Sequence, residues 1–137
     1  MLELSAATRE HFEHPRHVGS LNPDSPDVAT ALVGEPVSGA ILQLYLRVDQ
    51  RDFITAARFG VYGCGWMVAC GSLLTEWLQG RTLVEAAIFR HHILVEILDV
   101  PPEKLYCAVL AETALKTALR AYAAKPTRTS VIQSDHP

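Results

Sequence analysis

The chain has 137 residues, a formal net charge of −3, and an apolar fraction of 49%. This length and composition suit one domain with its own hydrophobic core. The mildly acidic balance argues against a nucleic-acid-binding protein, which usually presents a basic face. Residues 1–10 lack the apolar core of a secretory signal, and no apolar run is long and unbroken enough for a good membrane span. We therefore expect a cytoplasmic protein that binds neither nucleic acid nor a membrane.

The first half of the sequence predicts a short helix followed by three strands. The helix covers residues 6–13, and a loop rich in Pro, Gly, Asn and Ser follows. Strands are expected at residues 28–33, 41–48 and 53–62, and the last two are joined by a short polar turn that favours antiparallel pairing. One face of the second strand should hold Leu42, Leu44, Leu46 and Val48, and one face of the third Phe53, Thr55, Ala57, Phe59 and Val61.

After Gly65 the apolar residues recur at the spacing of a helix. The pattern predicts a helix that ends near Gly80, a second from Leu83 to about Leu98, and a third that begins after Pro101-Pro102 and ends near Ala124. Strands followed by helices indicate an α+β fold, in which helices pack on one face of a small three-stranded antiparallel sheet. We expect one domain over residues 1–125 and a flexible tail over residues 126–137.

The three cysteines differ in their settings. Their odd number, without a signal peptide, indicates a reducing compartment and free thiols or thiolate ligands. Cys64 lies between two glycines where the strand period ends and the helical period begins. There a helix dipole would favour the thiolate, although a buried cysteine in a tight turn would give the same pattern. Cys107 could equally be a small core residue or a ligand, and Cys70 falls on an apolar helical stripe that favours packing.

Taken together in chain order, several short motifs resemble the NifU-like, or IscU-like, scaffold family on which iron–sulfur clusters are assembled. The resemblance extends from about His11 to Lys125. The residues that carry it are Phe12, Pro15, Arg16, Val18 and Gly19; Val33-Gly34-Glu35-Pro36; Tyr62-Gly63-Cys64-Gly65; Thr75-Glu76-Trp77; and residues 80–86 and 101–112.

The resemblance implies a function in cluster assembly rather than catalysis. Members of the family hold a nascent cluster, or sometimes zinc, through three cysteines with an aspartate and a histidine nearby. They receive sulfur from a cysteine desulfurase and pass the finished cluster to client proteins. The fold implied is the same three-stranded antiparallel sheet with helices that the periodicity predicts.

The chain departs from the family pattern at the metal site. Ser38 and Ala40 stand where the family has the first cysteine and the aspartate, and Tyr106 stands where it has the histidine. Cys64 and Cys107 are the remaining ligands of that set. The segment that resembles the family's chaperone-recognition motif keeps Pro101, Pro102 and Lys104 but differs at Val100 and Glu103, which argues against an Hsp70-type chaperone as a partner.

Two thiolates per chain do not complete a cluster site, which normally has four thiolate ligands or thiolates with imidazole, and a structural zinc site has the same shortfall. Three solutions are open. Two chains could share one cluster as a homodimer, Cys70 could supply a third sulfur, or a small thiol or partner protein could complete the set.

Two other functions also remain open from the sequence. The chain could be a diverged relative that binds a desulfurase-type partner, or accepts persulfide sulfur at Cys107, without building clusters. It could also be a thiol enzyme with Cys64 as nucleophile, although the sequence places no base beside that residue. Of these, we predict a non-enzymatic scaffold that binds iron or a nascent cluster through Cys64 and Cys107.

Overall fold

Three antiparallel strands form the sheet in the computed structural model, which describes residues 5–125. They are β1 (Val28–Glu35), β2 (Ala40–Val48) and β3 (Ile54–Tyr62), paired in the order β1-β2-β3. In the central strand every second residue is buried, as its apolar alternation predicts. The fully buried members are Leu42, Leu44 and Leu46.

The helices cover the face of the sheet to which these leucines point. They are α1 (Ala6–Glu13), α2 (Gly65–Leu78), α3 (Leu83–Ala87), α4 (His92–Leu98) and α5 (Leu105–Ala123), with a 3₁₀ turn at Pro102–Lys104. Helix α5 packs on β1 and β2, and α2 packs on β3. The predicted α+β fold, with helices on one face of a small antiparallel sheet, is confirmed.

Helix α2 approaches the sheet closely because a glycine faces the largest side chain beneath it. A Cβ atom at Gly71 would lie 2.5 Å from the ring of Phe59, which is fully buried. Any larger residue at position 71 would push the helix outward. This approach fixes the position of the N-terminus of α2 at the end of β3.

Two strand predictions need correction. Strand β1 does not end at Val33, because the backbones of Gly34 and Glu35 continue to pair with β2, and Pro36, which has no N–H group, follows. In β3 the pairing skips Thr55, since Arg47 faces Ala56 while Val48 faces Ile54. This bulge leaves Thr55 exposed and buries Ile54, so the predicted alternation is wrong there.

The predicted helix from Leu83 to Leu98 is two helices, α3 and α4. Phe89, in the break between them, is fully buried, and its ring lies 5.0 Å from that of Trp77. Glu112 of α5 stabilises the restart, because its carboxylate accepts a hydrogen bond of 2.7 Å from the backbone N–H of His91. A carboxylate distant in the chain therefore satisfies a backbone N–H group at the start of α4. Two predicted apolar contacts of the long helix, Ala87 and Ile97, are exposed.

The remaining helices follow the sequence pattern. Helices α1, α2 and α5 begin and end within a few residues of the predicted positions, and Thr82 and Glu85 form the predicted capping box. Within residues 5–125, no helix has both the length and the apolar character that crossing a membrane requires. The predicted tail over residues 126–137 lies outside the described residues.

Candidate metal-binding site

Cys64 lies at the junction between the sheet and α2. Strand β3 ends at Tyr62, and Cys64 takes an extended conformation as the residue that precedes the helix. Its carbonyl oxygen accepts a hydrogen bond of 3.0 Å from the backbone N–H of Met67. Gly63 leaves space for this sharp turn, since a Cβ atom there would lie 3.3 Å from the Met67 side chain. The thiol is therefore at the positive end of a helix and only partly buried.

Cys107 lies in the first turn of α5, and its sulfur is 4.0 Å from that of Cys64. The two residues are 43 positions apart in the chain, and the packing of α5 against α2 brings them together. Two thiolates bound to one tetrahedral metal, each about 2.3 Å from it, are about 3.8 Å apart. The observed spacing therefore suits chelation of one metal ion by both sulfurs.

Lys104 is a member of this site that the sequence analysis assigned only to the chaperone-like segment. Its ammonium nitrogen lies 3.7 Å from the Cys64 sulfur and 5.9 Å from the centre of the Tyr106 ring. The 3₁₀ turn that contains Lys104 leads directly into the turn that contains Cys107. The sequence contained one signal for this role. Lys104 lies three residues before Cys107, and that spacing places two side chains on the same side of a helix.

A cleft of about 640 Å³ opens onto Cys64. One wall comes from the turn between β1 and β2, and the other from the end of β3 and the residues before α5. The lining residues are Ser38, Ala40, Val61, Tyr62, Gly63, Cys64, Lys104 and Tyr106. Five of the predicted site positions therefore line the cleft. Cys107, Cys70, Pro101 and Pro102 do not line it.

The first wall is a tight turn that hydrogen bonds hold together. The Glu35 carboxylate accepts hydrogen bonds from the backbone N–H groups of Ser38, at 2.7 Å, and Val37, at 3.1 Å. The Ser38 hydroxyl accepts another from the backbone N–H of Ala40, at 3.1 Å. Gly39 has a φ of +78°, a conformation that favours glycine. The turn thus keeps its shape without a thiolate or an aspartate at its tip.

The two cysteines of the pair have opposite ionisation tendencies. Burial by itself raises the pKa of Cys64, but the backbone N–H groups of Met67 and Trp66 oppose it, and so does the Lys104 ammonium. The net effect is a Cys64 pKa below its ordinary value. For Cys107, burial and then the negative charge of Cys64 raise the pKa to about 12. Cys64 is therefore the thiol of the pair that loses its proton more readily.

Cys70 is in the core rather than in the cleft. It is fully buried within α2, and burial raises its pKa. This agrees with the apolar stripe that predicted packing for it. Among the described residues, no group of three or more His, Cys, Asp and Glu side chains is arranged to hold a metal ion. Within that part of the chain, the candidate site is the pair of Cys64 and Cys107.

Comparison with known proteins identifies one family whose model matches most of this chain. The model of the NifU-like N terminal domain matches residues 5–129. The chain belongs to this family. It is 45% identical to the iron–sulfur cluster assembly scaffold protein IscU of Azotobacter vinelandii over 113 residues, which cover 82% of this chain and 88% of that protein. It is 40% identical to iron–sulfur cluster assembly protein 2 of Arabidopsis thaliana over 126 residues, which cover 92% of this chain and 77% of that protein.

Solved structures agree on the fold. A crystal structure of a protein from Fervidobacterium islandicum AW-1 aligns with a TM-score of 0.67 at 21% sequence identity, over 84% of this chain and 95% of that one. Ser38 and Ala40 occupy the turn where the resemblance leads us to expect a cysteine and an aspartate.

Proposed function

We propose that this chain is an iron–sulfur cluster assembly scaffold that binds iron or a nascent cluster through Cys64 and Cys107. The observation that carries the proposal is the distance of 4.0 Å between the sulfur of Cys64, which lines the cleft, and that of Cys107 behind it, a spacing that suits two ligands on one metal. Relatives with 40–45% identity over most of the chain are named as assembly proteins. The cluster is cargo in this proposal, and the chain itself is not an enzyme.

The chain's own residues give an order to ligand binding. Cys64 is the first ligand, because its thiolate is favoured and it lines the cleft. A bound cation beside Cys107 then favours loss of the second proton, since metal binding and thiol deprotonation are linked. Lys104 offsets part of the negative charge that the two thiolates bring. The Ser38 hydroxyl is a poor ligand for iron, because it rarely ionises near neutral pH.

A cysteine desulfurase is the partner that this function implies as the sulfur donor. If sulfur arrives as a cysteine persulfide, the Cys64 thiolate would attack the outer sulfur and displace the desulfurase thiolate, so that the sulfur changes partner without any net redox change. We place this step at Cys64 rather than at Cys107, because Cys64 lines the cleft while Cys107 is fully buried. We assign no Hsp70-type chaperone. The segment that resembles its recognition motif departs at Val100 and Glu103, and its Lys104 contacts Cys64.

Anaerobic reconstitution with ferrous iron and sulfide tests the proposal. We expect a visible charge-transfer spectrum and bound iron, and we expect both to be lost in Cys64→Ser and in Cys107→Ser. Cys70→Ala is the matched control, because it removes a thiol of α2, the helix that Cys64 precedes, and this thiol is buried outside the cleft. A folded wild-type protein that stays colourless and binds no iron would contradict the scaffold function and favour a diverged partner-binding relative.

A further inference from the structure

The sulfurs of Cys64 and Cys107 are close to each other but differ in how a reagent can reach them. They lie 4.0 Å apart. Cys64 is only partly buried and lines the cleft, whereas Cys107 is fully buried behind it. A small reagent in the cleft therefore meets Cys64 first, and the product formed on Cys64 has a second thiol beside it. An accessible cysteine next to a second cysteine is the arrangement of many redox-sensing thiols.

We propose that Cys64 and Cys107 are a peroxide-sensitive thiol pair, in which a hydroperoxide oxidises Cys64 and Cys107 then forms a disulfide with it. This reaction goes beyond the proposed function, because it takes place in the metal-free chain. It happens once per chain until a reductant reverses it, so it is a switch rather than enzymatic turnover. Only its regulatory consequence, the loss of the metal ligands, rests on the scaffold function.

The first step is attack of the Cys64 thiolate on one oxygen of hydrogen peroxide. A sulfur–oxygen bond forms, the oxygen–oxygen bond breaks and hydroxide leaves, so that Cys64 becomes a sulfenic acid. The sulfur loses two electrons and the peroxide gains them. Of the described residues that line the cleft, Lys104 alone is a cation, and its ammonium nitrogen lies 3.7 Å from the reacting sulfur. There it can donate a charge-assisted hydrogen bond to the leaving hydroxide.

The second step joins the two cysteines. The Cys107 sulfur attacks the sulfur of the sulfenic acid, the sulfur–oxygen bond breaks, and water leaves with the proton of the Cys107 thiol. Two thiols and one peroxide thus give one disulfide and two waters. A disulfide bond is about 2 Å long, so the sulfurs must approach each other by about that much. Cys64 can supply this movement, because it precedes α2 between Gly63 and Gly65 and borders the open cleft.

The other residues of the site leave this pairing without a competitor. Cys70 is fully buried within α2 and does not line the cleft, so peroxide in the cleft does not reach it. Ser38 stands where the family resemblance leads us to expect a cysteine, and its hydroxyl is not a resolving thiol. A sulfenic acid on Cys64 therefore has Cys107 as its resolving partner.

The disulfide would remove both cysteine ligands of the candidate metal site at once. Metal ions bind cysteine as the thiolate, and neither sulfur of a disulfide is a thiolate. Because Ser38 adds no thiol to the cleft, oxidation of the pair leaves the cleft without a cysteine ligand. Peroxide would thus stop the chain from accepting iron. A dithiol would reverse the block by thiol–disulfide exchange, in which the dithiol itself becomes the disulfide.

The test treats the reduced, metal-free full chain with hydrogen peroxide and measures intact mass and free thiols. We expect a mass decrease of two hydrogen atoms and a peptide pair that joins Cys64 to Cys107. After denaturation, Cys70 should be the one thiol that alkylation still labels. Retention of both cleft-side thiols under conditions that fully oxidise free cysteine would overturn the proposal. So would a bond between the Cys64 residues of two chains, seen as a doubled mass without reductant.

Two variants test the roles of the cysteines. Cys107→Ala removes the resolving thiol, so the sulfenic acid should persist, and a dimedone-type probe should label Cys64 roughly tenfold or more above the wild type. Cys70→Ala is the matched control, because it removes the other fully buried thiol, and it should form the disulfide at the wild-type rate. Circular dichroism checks that both variants fold. Equal labelling of Cys64 in the wild type and in Cys107→Ala would contradict resolution by Cys107.

Iron binding by the oxidised chain tests the regulatory consequence. Reduced and oxidised samples are incubated anaerobically with ferrous iron alone, because sulfide can itself attack a disulfide. We expect roughly tenfold less bound iron in the oxidised sample, and recovery after dithiothreitol is added and removed. Equal iron in the two samples, including the case in which neither binds any, would overturn the regulatory consequence. The scaffold function is judged separately by reconstitution with iron and sulfide, and the disulfide by mass alone.

Discussion

The two walls of the cleft differ in what they preserve. The wall formed by the end of β3 and the start of α5 holds Cys64, whose sulfur lies 3.7 Å from the Lys104 ammonium and 4.0 Å from the sulfur of the buried Cys107. The opposite wall, at the turn between β1 and β2, holds Ser38 and Ala40 and offers no thiolate. Yet that turn is well ordered by hydrogen bonds, chiefly to the Glu35 carboxylate.

This difference shows that the shape of a site and its chemistry have separate origins. The turn keeps its form because backbone N–H groups are satisfied by Glu35 and because Gly39 accepts a positive φ. Neither requirement involves a metal ligand. The helical wall, in contrast, contains the side chains whose charges depend on one another. The turn can therefore lose its ligands without losing its fold, and each wall can be tested alone.

Restoring ligands to the first wall should give the largest effect. In Ser38→Cys with Ala40→Asp, the cleft gains a third thiol and a carboxylate opposite Cys64. We expect higher cluster occupancy, measured as bound iron per chain after anaerobic reconstitution. The single variant Ser38→Ala is the control, since it removes the hydroxyl without adding a ligand. No gain in the double variant would mean that the wall lacks more than these two side chains.

Removing the cation from the helical wall should have the next largest effect. Lys104 helps to lower the pKa of Cys64, so Lys104→Met should raise that pKa and move the pH dependence of alkylation upward. Because the thiolate is the reactive form, alkylation of Cys64 near neutral pH should slow by roughly threefold or more. Peptide mass mapping after iodoacetamide treatment measures the rate at Cys64 and separates it from the two buried cysteines.

Lys116→Met is the matched control for this charge change, because it removes one lysine from α5 beyond the cleft. Its alkylation profile should match that of the wild type. Similar slowing in both variants would mean that net charge rather than the contact with Cys64 sets the reactivity.

Glu112 of α5 accepts hydrogen bonds from His91 at the start of α4, and its removal should lower the stability of the fold. Glu112→Ala deletes the acceptor at the start of α4 and should lower the free energy of unfolding by about 1–2 kcal/mol. Burial by itself raises the Glu112 pKa, but its bonds to His91 hold it below the ordinary value. The contribution is therefore present above the unfolded-state pKa and is lost as pH falls through the folded-state pKa.

Urea unfolding at neutral pH and again at about pH 3 measures this loss, with Glu96→Ala, an exposed glutamate of α4, as the control. The difference in free energy of unfolding between the wild type and Glu112→Ala should be smaller at the lower pH. A difference that does not change with pH would show that the carboxylate charge is not responsible.

Glu35, which accepts the hydrogen bonds that hold the turn of the first wall, should contribute least to stability. Glu35 is at the surface, and its hydrogen bonds with Ser38 and Val37 lower its pKa. We expect Glu35→Gln to lower the melting temperature less than Glu112→Ala does, because an exposed bond competes with water. Thermal unfolding of both variants under one condition makes the comparison. A larger effect at Glu35 would mean that the turn, rather than the helical wall, limits the stability of the cleft.

Sequence patterns predicted the elements of this fold better than their interruptions. The alternation in β2 and the helical period of α2 and α5 report burial on one face, which a single chain segment reveals by itself. The break between α3 and α4 does not show in that way, because Glu112 and the ring of Trp77 supply its contacts from elsewhere in the chain. The bulge at Thr55 is also invisible in a single chain segment, because it depends on the register between two strands.

The sequence by itself determined the α+β class, the order of the elements and the candidate positions Cys64 and Cys107, because each depends on local period or on motif order. Only the tertiary structure decided that their sulfurs are 4.0 Å apart, that Lys104 joins them and that Cys70 does not line the cleft. These facts depend on how closely α2 and α5 pack on the sheet. For α2 that distance is set by contacts such as Gly71 against Phe59, between residues of different elements.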